Sequence, residues 1–120
     1  MGQVDEGLHL VTEALAVVDT TGERYYEAEL HRLHGELLLR QALLEAQAAE
    51  ACFQQALEVA RRQQAKSWEL RAATSLSRLW QQQGKKAKAC ALLAPIYGWF
   101  TEGFDTVDLQ EAKALLDALA

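Results

Sequence analysis

Residues 49–57 read Ala-Glu-Ala-Cys-Phe-Gln-Gln-Ala-Leu, and their spacing decides the fold. Ala49, Phe53 and Ala56 lie four and then three residues apart, which sets a small, a large and another small side chain on one helix face. A similar order returns in residues 7–15 (GLHLVTEAL) as Gly7, Val11 and Ala14, and in residues 89–97 (ACALLAPIY) as Ala89, Leu93 and Ile96. The separations are 42 and 40 residues. Between them, LHRLHGELLL (30–39) and ATSLSRLWQQQG (73–84) put Gly35 and Ser77 in equivalent small-residue slots, again 42 apart. A helix hairpin of about 40 residues is therefore the repeating unit. In such a unit small residues let two helices approach closely, and the large residue one turn later fills the gap between neighbouring hairpins.

Composition agrees with this reading. Of 120 residues, 21 are Ala, 20 Leu and 11 Gln, with a single Pro, a mixture of strong helix formers with almost nothing to interrupt it. The expected class is all-α: about six helices in stacked antiparallel hairpins. Thr20-Thr21-Gly22 ends a first helix near residues 3–19, with Gly22 supplying the left-handed residue that helix ends favour. A second helix spans about 24–42, and a turn is expected within Leu43 to Gln47, since one unbroken 40-residue helix would be abnormal here. The third covers about 46–64, and the fourth runs to about 83, ended by Gly84. A fifth, about 86–100, contains Pro95, which should bend or loosen it. Asp105 and Asp108 resemble an acidic cap opening a last helix, about 106–119. The repeats are then 1–22, 23–64 and 65–103, followed by the closing helix, all within one domain.

The length excludes a two-lobed enzyme with an interdomain cleft. No apolar run reaches the ~20 residues of a membrane span and no signal peptide opens the chain, so a soluble, cytoplasmic protein is expected. Net charge is −5, distributed as −7 over residues 1–50, +6 over 51–90 and −4 over 91–120. An acidic chain is a poor partner for nucleic acid, whose non-specific binding rests on neutralising phosphates.

The hairpin pattern resembles the tetratricopeptide repeat, which implies that the hairpins stack as a right-handed superhelix. Gly35 sits at that family's first-helix small position, Leu38 and Trp80 at its aromatic position, and Gly84 at its turn glycine. Ala49, Phe53 and Ala56 match its second-helix signature of small, aromatic, small residues. The period exceeds the family's, and Arg61 stands where its closing proline would be. Longer helices of this kind resemble the repeats of bacterial regulators related to the maltose activator. The segments GELLL (35–39), 51–80 and 94–119 are similar to the C-terminal repeat region of bacterial multidomain proteins, in which an ATPase module precedes the repeats, often with an adenylate-cyclase-like or transcription-regulator domain. The resemblance implies that the chain is part of a larger signalling protein and acts by protein–protein interaction. Its partners would be a protein or peptide, the upstream ATPase or regulatory domain, or a second copy; small-effector sensing and homo-oligomerisation are the alternatives.

Few residues suggest chemistry. Glu27, His31 and His34 share a helix face but lack a fourth ligand and the His-Glu-x-x-His order of a helical zinc site, so no metal is expected. Gly84-Lys85-Lys86 lacks the earlier glycine of a phosphate-cradling loop. Cys52 and Cys90 read as free, buried thiols, Cys52 without a histidine base in its own helix. No catalytic residue and no cofactor is expected.

The groove is more informative. By the resemblance, first helices line the concave surface with Glu29, Arg32, Glu36 and Arg40, then with Arg71, Thr74, Arg78, Gln81 and Gln82. Glu29–Arg32 and Glu36–Arg40 stand at i,i+3 and i,i+4 and should neutralise one another. Arg71 and Arg78 have no acid at those spacings and read as the arginines freest to take a partner's carboxylate. Aromatic residues Trp68, Trp80, Tyr97, Trp99, Phe100 and Phe104 should be mostly core, with a remainder exposed. On the first helix Leu8, Leu10, Val11, Leu15 and Val18 cover more than one face, which favours pairing of two copies there. Asp108, Gln110, Glu111, Lys113 and Asp117 read as the outward face of a closing cap.

Overall fold

Three- and four-residue apolar spacing becomes six α-helices among the described residues, with no strand: α1 (Gly2–Thr21), α2 (Glu27–Gln41), α3 (Ala46–Arg62), α4 (Lys66–Gln82), α5 (Lys86–Gly98) and α6 (Val107–Leu119). This computed structural model describes the backbone of residues 2–21, 26–41 and 46–120, and side-chain surroundings for 4–16, 26–40 and 46–120. The Gly22 helix end, the turn residues 42–45 and the side chain of Val18 lie outside those described. The fold class is all-α, and none of the described helices is long and apolar enough to cross a membrane.

Helix contacts alternate. α2 packs on α4 and α4 on α6, while α1 and α3 flank α2, α3 and α5 flank α4, and α5 flanks α6. Even-numbered helices thus pack on one another as a layer, with α4 central, and among the described residues the odd-numbered helices pack against that layer and not on each other. Its Leu70, Ala73, Leu76, Leu79 and Trp80 join Ala49, Phe53, Ala56 and Leu57 of α3, Ala89, Leu93 and Ile96 of α5, and Leu109, Ala112, Leu115 and Leu119 of α6 in one core. A second, smaller cluster joins Ala28 to Val59 and Ala60, with Trp68 packed against it.

The small-residue slots carry the closest approaches. A Cβ placed on Gly35 would stand 2.6 Å from the Phe53 ring and 3.0 Å from the Ala49 carbonyl oxygen. One hairpin on, the Ser77 hydroxyl donates to the Ala89 carbonyl at 3.2 Å. Ala49, Phe53, Ala56, Ser77, Ala89 and Leu93 are all fully buried. On α1, Val11 is buried, Gly7 approaches Leu37, and Ala14 is half-buried.

Both turns around α4 share one hydrogen-bond design. After α3, Ala65 N–H donates to Ala60 O at 2.9 Å and Gln64 N–H to Arg61 O at 3.1 Å. After α4, Lys85 N–H donates to Trp80 O at 2.8 Å and Gly84 N–H to Gln81 O at 3.1 Å. This paired 6→1 and 5→2 pattern requires a left-handed residue at its centre, which is Gln64 (φ 55°) in the first turn and Gly84 (φ 78°) in the second. α5 runs through Pro95 and ends at Gly98 instead of residue 100; its last turn tightens into Trp99 N–H to Ile96 O and Phe100 N–H to Tyr97 O bonds. The cap of α6 is Thr106, whose Oγ1 accepts from Leu109 N–H at 3.5 Å, not Asp105 or Asp108. Thr106 has the extended backbone that an N-cap requires (φ −71°, ψ 151°).

Candidate functional site

The layer of α2, α4 and α6 opens into two adjoining cavities. One, about 110 Å³, is lined by Arg32, Arg71, Thr74, Ser75, Arg78, Val107, Asp108 and Glu111. The other, about 270 Å³, is lined by Glu36, Leu39, Arg40, Ser75, Arg78, Leu79 and Gln82. Ser75 and Arg78 belong to both, so the two form one groove along the layer. Helical spacing explains the gathering: positions 71, 74, 75, 78 and 82 follow one face of α4. Of the residues expected to line a groove, Arg32, Glu36, Arg40, Arg71, Thr74, Arg78 and Gln82 wall these cavities. Glu29 acts from behind them through its ion pairs, and Gln81 lines neither cavity.

Charge pairing departs from the in-helix reading in two respects. Arg71 is not free: its Nη1 lies 2.6 Å from Glu29 Oε2 on α2, and its Nε lies 3.5 Å from Asp108 Oδ1 on α6. Its partners come from neighbouring helices, which spacing along α4 does not reveal. Glu36 and Arg40 form no ion pair with each other among the described residues, while Glu29 and Arg32 do, at 2.7 and 3.0 Å. Arg32 also donates to the buried Ser75 hydroxyl at 3.2 Å. Burial works against the Arg32 charge, but the hydrogen bonds and charge of Glu29, with Glu36 and Asp108 farther away, hold its pKa above the ordinary guanidinium value. Arg78 makes no ion pair among the described residues.

On α6, Gln110, Glu111, Lys113 and Asp117 are exposed, as expected of an outward face, and Asp108 is half-buried; Asp108 and Glu111 also line the groove. Ser75 was missed as well, although it stands four residues from Arg71 and three from Arg78. Thr74 is buried and its hydroxyl donates to the Leu70 carbonyl at 2.8 Å, so its contribution is shape more than hydrogen bonding.

Outside the groove, His31 Nε2 stands 3.5 Å from Glu27 Oε2. Cys52 is half-buried, not core, and its Sγ lies 3.7 Å from Nδ1 of His34 on the neighbouring helix. Burial pushes the Cys52 thiol up. Burial first, and the nearby His31 second, push the His34 imidazole down. Both shifts favour neutral forms, the reverse of a thiolate–imidazolium nucleophile. No group of three metal-ligating side chains occurs among the described residues. Trp80 is buried, its Nε1 donating to Glu50 at 3.2 Å with Lys88 4.4 Å from the ring centroid, whereas Trp99, Phe104 and Val107 are exposed. No protein family, curated protein or solved structure matches this chain, so the functional reading is carried by the geometry and charge of the groove.

Proposed function

We propose that this chain is a non-catalytic interaction module that holds an extended segment of a protein or peptide along the α2–α4–α6 groove. The observation that supports it is Arg78: a guanidinium without an ion-pair partner among the described residues, shared by two adjoining cavities and flanked by the Ser75 hydroxyl. The groove is two joined lobes of about 110 and 270 Å³ strung along the even helices, not one enclosed chamber. Anchoring side chains of a longer partner fits them better than enclosing an effector. Arg32, Arg40, Arg71 and Arg78 face Glu36, Asp108 and Glu111, so the preference for an acidic residue is local to Arg78 and does not extend along the groove. In this reading the stack is a tetratricopeptide-like regulatory unit of a larger cytoplasmic, bacterial signalling protein, with the upstream ATPase or regulatory domain among its partners.

Selection from a random peptide display library against the full chain tests this. Selected peptides should carry an acidic residue and lose roughly tenfold or more in affinity for Arg78→Ala, as expected for one charge-assisted contact of about 1.5–3 kcal/mol. Peptides that bind Arg78→Ala as tightly as the wild type would place the binding face elsewhere.

A further inference from the structure

Among the exposed apolar side chains of the described residues, Leu10 and Trp99 stand in opposite electrostatic surroundings. On α1, Leu10 is 63% exposed. Exposed Glu6 and Glu13 stand one turn before and one turn after it, with exposed Asp5 close by. α1 carries four acids and no Lys or Arg. At the far end of α3, Trp99 is 57% exposed and walls a cavity of about 600 Å³ with Arg61, Gln64, Lys66 and Glu69. Lys66 Nζ lies 5.2 Å from the Trp99 ring centroid. Glu69 is buried and holds both cations, Arg61 at 3.1 Å and Lys66 at 3.3 Å, which leaves the cleft with a net positive rim that the exposed Arg62 extends.

We infer that these two surfaces are the halves of one contact, in which α1 of one copy of this chain docks by Leu10 into the Trp99 cleft of a second copy. Charge selects the pairing. Two α1 faces brought together would set acid against acid, and two Trp99 clefts would set Arg61, Arg62 and Lys66 against themselves. Only the unlike combination joins apolar to apolar and negative to positive. Among the described residues α1 packs on α2 alone, whereas the cleft is built by α3, α4 and the end of α5. One such contact leaves a free half on each copy, so two copies either engage both halves at once about a two-fold axis and close as a dimer, or extend into rings or chains. Leu10 enters beside the indole ring while Glu6 and Glu13 meet Arg61, Arg62 and Lys66.

Sedimentation velocity of the full chain, from about 10 to 500 µM, tests this at salt concentrations of about 20 and 500 mM, where the Debye length falls from about 20 Å to about 4 Å. Assembly should grow with concentration at low salt and weaken at least about tenfold at high salt. Leu10→Lys removes one half and Trp99→Glu the other; each variant alone should be monomeric, and their mixture should form a 1:1 complex and stop there. Self-association of Trp99→Glu alone would mean α1–α1 pairing, and self-association of Leu10→Lys alone would mean cleft–cleft pairing; either overturns the inference. So does a wild type that stays monomeric at low salt or assembles regardless of salt. Circular dichroism melts check both folds, and Trp99→Ser replaces Trp99→Glu in the same mixing should the latter melt early.

Discussion

The α2–α3 and α4–α5 hairpins achieve the same close approach by different chemistry. In the first, Gly35 has no side chain, and the Phe53 ring and Ala49 carbonyl fill the place where one would be. In the second, Ser77 keeps its side chain and directs its hydroxyl to the Ala89 carbonyl, with the smaller Leu93 in the slot that Phe53 occupies. Steric fit closes one hairpin and a buried hydrogen bond closes the other. Volume added to the first helix is therefore offset by volume removed from the second, which makes the two positions a coupled pair and not independent small-residue requirements.

The largest expected effect breaks the steric half of this comparison. Gly35→Ala should destabilise the protein by about 2 kcal/mol, because a buried ring and a backbone oxygen must move, even though Ala gains ~1 kcal/mol of helix propensity over Gly. Phe53→Leu, which imitates the second hairpin, should cost less in the Gly35→Ala background than alone. Urea unfolding of the four proteins measures this, and additive costs would show that the two sites are uncoupled.

Ser77→Ala should cost about 1 kcal/mol, the net worth of one hydrogen bond to a neutral acceptor. A loss as large as that of Gly35→Ala would mean that the hydroxyl also sets the helix spacing. The smallest effect concerns the two turns. Gln64→Gly should stabilise by about 0.5–1 kcal/mol by relieving a left-handed non-glycine residue, and Gly84→Gln should cost a similar amount. Thermal melts that move in the same direction for both substitutions would show that the turns are not equivalent.

Helix positions and slots were legible because they depend on periodicity within one segment. Ala49, Phe53 and Ala56 announce a buried stripe wherever the rest of the chain goes. The groove was legible only in its membership. Spacing along α4 placed Arg71 and Arg78 on one face but made them look alike, whereas Glu29 and Asp108 reach Arg71 across two helix boundaries and leave Arg78 alone. Partners of that kind depend on how helices cross, which no window of a single helix contains. Cys52 near His34 is a similar case, 18 residues apart in sequence and joined by the α2–α3 crossing. Thr106 is a different case: aspartate and threonine are both good N-caps, so residue type alone does not choose between Asp105, Thr106 and Asp108.

Arg71 ties together the first, middle and last helices of the even layer, and its two ties are unequal. The contact with Glu29 is short and shielded, at 2.6 Å with the carboxylate 13% exposed, while the contact with Asp108 is 3.5 Å and the carboxylate is 40% exposed. Salt screens the second more than the first. Mechanically, this is a clasp fixed on the α2 side and sprung on the α6 side. Because Leu109, Ala112, Leu115 and Leu119 seat α6 in the core, screening the outer tie does not move the helix; it frees the Arg71 and Asp108 side chains toward the groove they both line.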